Sequence, residues 1–189
     1  HHLIYSTSRT GNSKMSIAII EFNKESIMSE LTELSIILAD SVNSGASISF
    51  MSPFSYDAAT AFWSGPVLDG IISGERILYG AKVAGKLVGT VQLITSMPPN
   101  QPHRSEVAKL IVHPDARRMG VARALMNHLI NASIKLGKTL ITLDTTTGSD
   151  AETLYRSIGF EVAGIIPDYA FSPDNQRKAP TTYMYLLKK

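Results

Sequence analysis

The stretch from residue 105 to about 138 constrains this chain most. An apolar strand pattern over 106–112 passes through the turn His113-Pro114-Asp115-Ala116 into Arg117-Arg118-Met119-Gly120-Val121-Ala122, where a long amphipathic helix begins. The helical period predicts a helix over 118–137, with Val121, Leu125, Leu129, Ala132 and Leu136 buried, and Arg123, Asn127, Asn131 and Lys135 turned to water. Gly137 closes it as a left-handed C-terminal residue. A strand feeding an Arg-x-x-Gly-x-Ala turn that opens a helix aims unbonded backbone N–H groups at one spot, with the positive helix end behind them. That arrangement binds phosphate.

Strand and helix patterns alternate around this unit. Residues 17–22 read as a first strand, and 26 to about 42 as a helix carrying Ile27, Leu31, Leu34, Ile37 and Leu38, with Ser26 as candidate N-cap. A second helical pattern over 55–73 contains Pro66, which should kink or split it. Residues 76–83 and 86–94 alternate as a hairpin around Ala84-Gly85, and 97–104, with three prolines, read as a loop. A strand over 139–144, a helix over 151–158 ended by Gly159, and strands over 160–166 and 181–187 follow, the last two separated by a Pro-rich loop over 167–180. With no internal repeat and no linker, residues 15–189 read as a single domain. Residues 1–14, polar and opening on His1-His2, read as a tag or linker remnant before Met15, outside the fold.

Composition narrows the function. Lys plus Arg total 18 against 16 for Asp plus Glu, a net charge of +2, which argues against a nucleic-acid partner. The absence of cysteine removes thiol nucleophiles, disulfides and zinc–thiolate sites and fits a reducing, cytoplasmic setting. No apolar run approaches the ~20 residues of a membrane helix. His103, His113 and His128 are isolated, so no metal is assigned.

Two segments carry a family resemblance: the turn from Arg117 to Ala122, and Ala151-Glu152-Thr153-Leu154-Tyr155-Arg156-Ser157-Ile158-Gly159-Phe160, with its Tyr-x-x-x-Gly-Phe ending. In this order, with a strand between them, they resemble the GCN5-related N-acetyltransferase (GNAT) superfamily. Leu143-Asp144-Thr145 followed by Gly148-Ser149, and Ile165-Ile166-Pro167-Asp168-Tyr169-Ala170-Phe171, are similar to its tabtoxin resistance protein branch. The resemblance implies an α/β (α+β) fold with a mixed, mostly antiparallel central sheet, splayed around an acetyl-CoA site and flanked by helices. It departs at Arg118 and Met119, where the superfamily more often has Gly and a basic or polar residue, and at Gly148, where many members carry asparagine.

The resemblance also implies roles. Acetyl-CoA would place its pyrophosphate on the N–H groups from Arg118 through Met119, Gly120 and Val121 to Ala122, with Arg117 and Arg118 adding charge. Its pantetheine arm would lie along Leu110-Ile111-Val112. A lysine-like amine of pKa about 10.4 is neutral only about once in 2,500 molecules at pH 7, so a carboxylate base helps. Glu106 and Asp144 flank the expected splay as candidates; the competing reading of each is a turn cap or an ion pair with Lys109 or an arginine. Tyr155 stands where the family supplies a proton or hydrogen bond to the departing sulfur, its alternative being a core tyrosine. Trp63, Tyr169 and Phe171, with Asp168 to hold a cation, are candidates to wall the acceptor site, though such aromatics also serve as core.

The expected function is acetyl transfer from acetyl-CoA to an amine or hydroxyl of a small molecule, such as a toxin-like dipeptide, by a monomer or homodimer. The rival readings are a protein or peptide N-acetyltransferase and a non-catalytic acyl-CoA sensor.

Overall fold

The computed structural model describes residues 16–189 and the backbone of Ser6–Arg9. Of the expected tag, residues 1–5 and 10–14 lie outside the described residues, as does Met15. Ser6–Arg9 forms strand β1, so part of that segment joins the sheet. The elements then run β2 (Ser16–Glu21), α1 (Lys24–Ser29), α2 (Leu31–Asn43), α3 (Tyr56–Phe62), a π-helical turn (Trp63–Val67), α4 (Leu68–Ser73), β3 (Arg76–Val83) and β4 (Lys86–Ile94). After these come β5 (Arg104–Val112), a 3-10 turn (Pro114–Ala116), α5 (Val121–Lys135), β6 (Leu140–Thr146), α6 (Asp150–Ile158), β7 (Glu161–Phe171) and β8 (Lys178–Leu187).

The strands form one sheet in the order β1-β2-β3-β4-β5-β6-β8-β7, seven of them within residues 16–189. Among the described strands only β5 and β6 pair in parallel. Helices α1–α4 cover one face over a core that includes Leu34, Leu38, Trp63, Leu78 and Ile111. Helices α5 and α6 cover the other, over Val91, Leu93, Val107, Leu125, Leu129 and Phe160. This is the expected mixed, mostly antiparallel architecture.

Local chemistry sets the boundaries. Asn23, not Ser26, caps α1: its side chain accepts from the Ser26 N–H, while Ser26 Oγ accepts from the Asn23 N–H, both at 2.8 Å. Pro66 lacks the N–H that an α-helical ladder requires, and the helix passes it by widening into the π turn instead of stopping. At the end of α5 the Gly137 N–H bonds the Ile134 carbonyl and the Lys138 N–H the Ser133 carbonyl, the paired bonds of a Schellman cap. Leu136 lies beyond the last buried turn and is exposed, contrary to the predicted stripe.

The Pro-rich loop expected over 167–180 is mostly strand. Strand β7 continues to Phe171 and β8 starts at Lys178, leaving residues 172–177 as the connection. Pro167 is tolerated because β7 is an edge strand, where a missing N–H breaks no ladder bond, and an irregularity between Ile166 and Ala170 absorbs the misfit.

A bulge in β5 decides which face each of its side chains meets. Thr90 pairs with Ile111 and Gln92 with Ala108, so β5 carries one residue more than β4 across this interval, and Lys109 takes φ +51°. The extra residue inverts the alternation of side chains. Val107 enters the α5 core, while Ile111, four residues on, enters the opposite core.

Candidate active site

The predicted phosphate turn opens α5. Gly120 stands at its N-cap with φ +81° and ψ +12°, a left-handed conformation that favours glycine, and no side chain caps the helix. The first helical bond runs from the Ala124 N–H to the Gly120 carbonyl. Among the described residues the N–H groups from Arg118 to Ala122 make no hydrogen bond, which leaves the donors free for an anion. Arg117 and Arg118 are exposed beside them, whereas the Met119 side chain packs on the α5 core and has no anion-binding role.

Gly89 of β4 lets α5 approach the sheet here. A Cβ on it would lie 2.9 Å from Val121 Cγ1 and 3.1 Å from the Ile111 carbonyl oxygen. The position of the turn therefore depends on the absence of a side chain one strand away.

The splay lies between β5 and β6. Their parallel pairing has three rungs, Arg104 with Leu140, Ser105 with Ile141 and Glu106 with Thr142, and ends there. Beyond Glu106, β5 bonds β4 on one side only, so its other edge, through Leu110, Ile111 and Val112, is open to an added strand-like partner. This edge leads directly to the free amides of the turn.

Glu106 and Asp144 lie on the same sheet face, the one covered by α1–α4, opposite Val107 and Leu143 of the α5 core. Glu106 accepts from Arg104 Nη1 at 2.7 Å, and the same guanidinium group donates to Thr142 Oγ1 at 2.9 Å. Asp144 is exposed and accepts from Thr181 Oγ1 at 2.8 Å. Tyr183 is Asp144's cross-strand partner and shares its face; its hydroxyl lies 2.9 Å from that of Tyr169. That hydrogen bond first, then burial and the charges of Asp144 and Glu106, push the Tyr183 phenol up to about 12, so it stays protonated at neutral pH.

Tyr155 approaches from the opposite face. It is 5% exposed in the α5–α6 core, its ring centroid 5.7 Å from that of Phe160, and its hydroxyl makes no hydrogen bond among the described residues. Burial chiefly, and the Asp144 charge across the sheet, raise its pKa, so it is a phenol with its proton in place.

The N-terminus of α6 is fixed by a residue that sequence reasoning left without a role. Glu152, 7% exposed, accepts from the Gly148 N–H, from Thr182 Oγ1 and from Arg156 Nη2, each at 3.0 Å. Burial works to raise its pKa, but these donors outweigh it and hold the carboxyl below its usual range. A carboxylate on the buried side of a short helix, followed four residues later by arginine, was the available signal.

The acceptor-wall residues separate. Trp63 is fully buried and donates from Nε1 to the Leu34 carbonyl at 2.9 Å; it is a core residue and lines no acceptor site, because the π turn directs it into the α2–α3 interface. Tyr169 joins the Asp144 neighbourhood through Tyr183. Asp168, at φ +50° in the β7 irregularity, and Phe171, 51% exposed with Lys178 Nζ 5.5 Å from its ring centre, lie along the same edge strand without contacting Glu106 or Asp144. No group of three or more potential metal ligands occurs among the described residues.

The family model described as "Acetyltransferase (GNAT) family" matches residues 48–160, more than half of the chain. An uncharacterized protein of Mycobacterium leprae (strain TN) is 34% identical over 109 residues; the match covers 57% of this chain and 29% of that relative's length, so the chain spans under a third of it. Among solved structures, an N-acetyltransferase from Staphylococcus aureus Mu50 superposes with a TM-score of 0.74 at 18% identity, covering 92% of this chain and 99% of that one. yncA of Salmonella typhimurium, solved with its cofactor acetyl-CoA, superposes with a TM-score of 0.71 at 19% identity, covering 92% and 94%. With the splayed sheet, the open turn at Gly120 and the family match in agreement, the chain belongs to the GNAT acetyltransferase family.

Proposed function

We propose that this chain is an acetyl-CoA-dependent N-acetyltransferase acting on an amine of a small molecule. The observation that carries the reading is the set of unbonded amides from Arg118 to Ala122, at the end of an open β5 edge that passes between Glu106, Asp144 and Tyr155. The residues fit the co-substrate: diphosphate on the amides, with Arg117 and Arg118 nearby, and an amide-bearing arm along Leu110–Val112. Acetyl-CoA supplies the activated acyl group; this chain's residues handle the protons.

Glu106 or Asp144 takes the proton of an incoming ammonium, directly or through water, on the α1–α4 face. Tyr155, protonated and without an internal partner, donates a hydrogen bond from the other face to the charge that develops on sulfur. Complete transfer from a phenol (about 10) to a thiolate of cysteine-like pKa (about 8.5) is uphill by roughly 2 kcal/mol, and burial makes it harder, so the hydrogen bond is the main contribution.

Enclosure favours a compact acceptor over a peptide. The loop between α2 and α3 is tied to the β7–β8 connection, since the Ser52 N–H and Oγ both donate to the Pro173 carbonyl, at 2.9 and 3.0 Å. Its other end touches β5, where Lys109 donates to the Ile48 carbonyl. The finer reading, detoxification of a tabtoxin-like dipeptide, draws its support from the motifs around Asp144 and Asp168–Phe171.

The test is calorimetric titration with acetyl-CoA, followed by thiol release across a panel of amines, amino acids and dipeptides. Binding that weakens about tenfold or more in Gly120→Val, with turnover on a compact amine, is the expected result. Equal binding by wild type and variant would sink the placement. Binding with no turnover on any acceptor would favour a sensor.

A further inference from the structure

We propose that Lys109 is the carboxylate-recognition residue for the acetyl acceptor, so that the acceptor is a zwitterion whose ammonium faces Asp144 and Glu106 while its carboxylate faces Lys109. This inference rests on the acetyl-transfer reading and names the chemical class of molecule it acts on.

The bulge provides the placement. Because β5 gains a residue at Lys109, that side chain joins Glu106 on the α1–α4 face instead of alternating into the α5 core. Its ammonium reaches the Ile48 carbonyl at 3.2 Å, and the rings of Phe50 and Phe62 lie 5.1 and 5.9 Å from it. One of three N–H donors is therefore used. The aromatic faces attract the charge but accept no conventional hydrogen bond.

No carboxylate lies within ion-pair distance of Lys109 among the described residues, although this chain pairs comparable cations elsewhere. Lys82 meets Glu30 at 2.6 Å and Arg104 meets Glu106 at 2.7 Å. Lys109's cationic neighbour is also without a carboxylate among the described residues: Arg76 donates from Nη1 to Gln92 Oε1 at 2.9 Å and forms no ion pair with any of them. Gln92, fully buried opposite Ala108, leaves its Nε2 without an acceptor. Burial and the Arg76 charge both press on the Lys109 ammonium, and Asp144 relieves it only in part.

The face of the sheet is thus polarised. At one end stand Lys109, Arg76 and an unsatisfied amide donor; at the other stand Asp144, which has no ion-pair partner among the described residues, Glu106 in its pair with Arg104, and the Tyr169–Tyr183 hydroxyl pair. A half-buried, uncompensated cation is costly unless an anion completes it. A ligand carboxylate on Lys109 would complete it while setting the ligand's amine toward the base.

The experiment compares α-amino acids and dipeptides with the same molecules carrying a primary amide in place of the carboxylate. Acetyl-CoA is the donor, and the proteins are wild type, Lys109→Met and Lys109→Arg. The ratio of kcat/KM for acid over amide should fall about tenfold or more in Lys109→Met and recover in Lys109→Arg. Inhibition of the wild type by N-acetylated acids against their amides reads the same preference with no substitution, and the acids should bind more tightly. An unchanged ratio in Lys109→Met, or equal inhibition by acids and amides, would overturn the inference while leaving acetyl transfer in place. Acetylation confined to amines that lack a carboxylate would do the same. Failure of the wild type to bind acetyl-CoA would instead overturn the acetyl-transfer reading itself.

Discussion

Tyr155 and Glu152 share α6 three residues apart, and the first depends on the second. Replacing Tyr155 by phenylalanine removes a hydroxyl with no internal partner, so it leaves no orphaned group and should cost little stability. Turnover should fall roughly 100-fold while the dissociation constant for acetyl-CoA holds; thiol-release kinetics beside calorimetry separate the two. Glu152→Gln is the opposite case, because three donors are arranged around a charge. It should destabilise the fold by about 1–3 kcal/mol at pH 7, measured by urea unfolding. The carboxyl's pKa is lowered in the folded state, so its contribution is complete above the ordinary glutamate value of about 4.3 and disappears as pH falls through the folded value. The gap between wild type and variant should therefore narrow in acid. Glu152 carried no visible role in the sequence because its partners, Gly148 and Thr182, come from a loop and from a strand 30 residues away.

At the scale of elements, the junction of α5 with β4 is the most sensitive packing contact near the site. Gly89→Ala would press a methyl group against Val121 and the Ile111 carbonyl, and a backbone oxygen in a sheet cannot retreat cheaply. A stability loss of about 1–3 kcal/mol and weaker acetyl-CoA binding should appear together, in thermal unfolding and in titration. Stability loss with unaltered binding would separate the phosphate turn from this contact. Most elements were legible from periodicity and punctuation. The β3–β4 hairpin falls on the residues that alternate around Ala84-Gly85, and the ends of α5 and α6 fall near Gly137 and Gly159. Two features were not legible. The β7–β8 hairpin was hidden because Pro167 reads as a breaker unless the strand is known to lie at an edge, which is a tertiary fact. The bulge at Lys109 was hidden because the run from Val107 to Val112 reads as one strand, and only pairing with β4 reveals the extra residue. Trp63 was misplaced for a related reason: the π turn changes which way a residue points, and a helical wheel assumes an unbroken α-helix.

For the whole molecule, the candidate site is a place where the sheet stops being a sheet. Glu106 and Asp144 were candidates from their places at predicted strand ends and Tyr155 from the family resemblance, but their distribution over two faces is a property of the assembled layers. Three rungs join strands β1–β5 to β6, β8 and β7, and beyond them the β5 amides that turn away from β4 find no acceptor among the described residues on that side. Those amides should exchange hydrogen for deuterium faster than the ones bonded to β4, and acetyl-CoA should slow them selectively, as mass spectrometry of peptides spanning Val107–Val112 would show. The short parallel seam has a mechanical consequence as well: a fold stitched this sparingly at its middle gains rigidity from its own reactant, and should be stiffest while loaded and loosest just after the product departs.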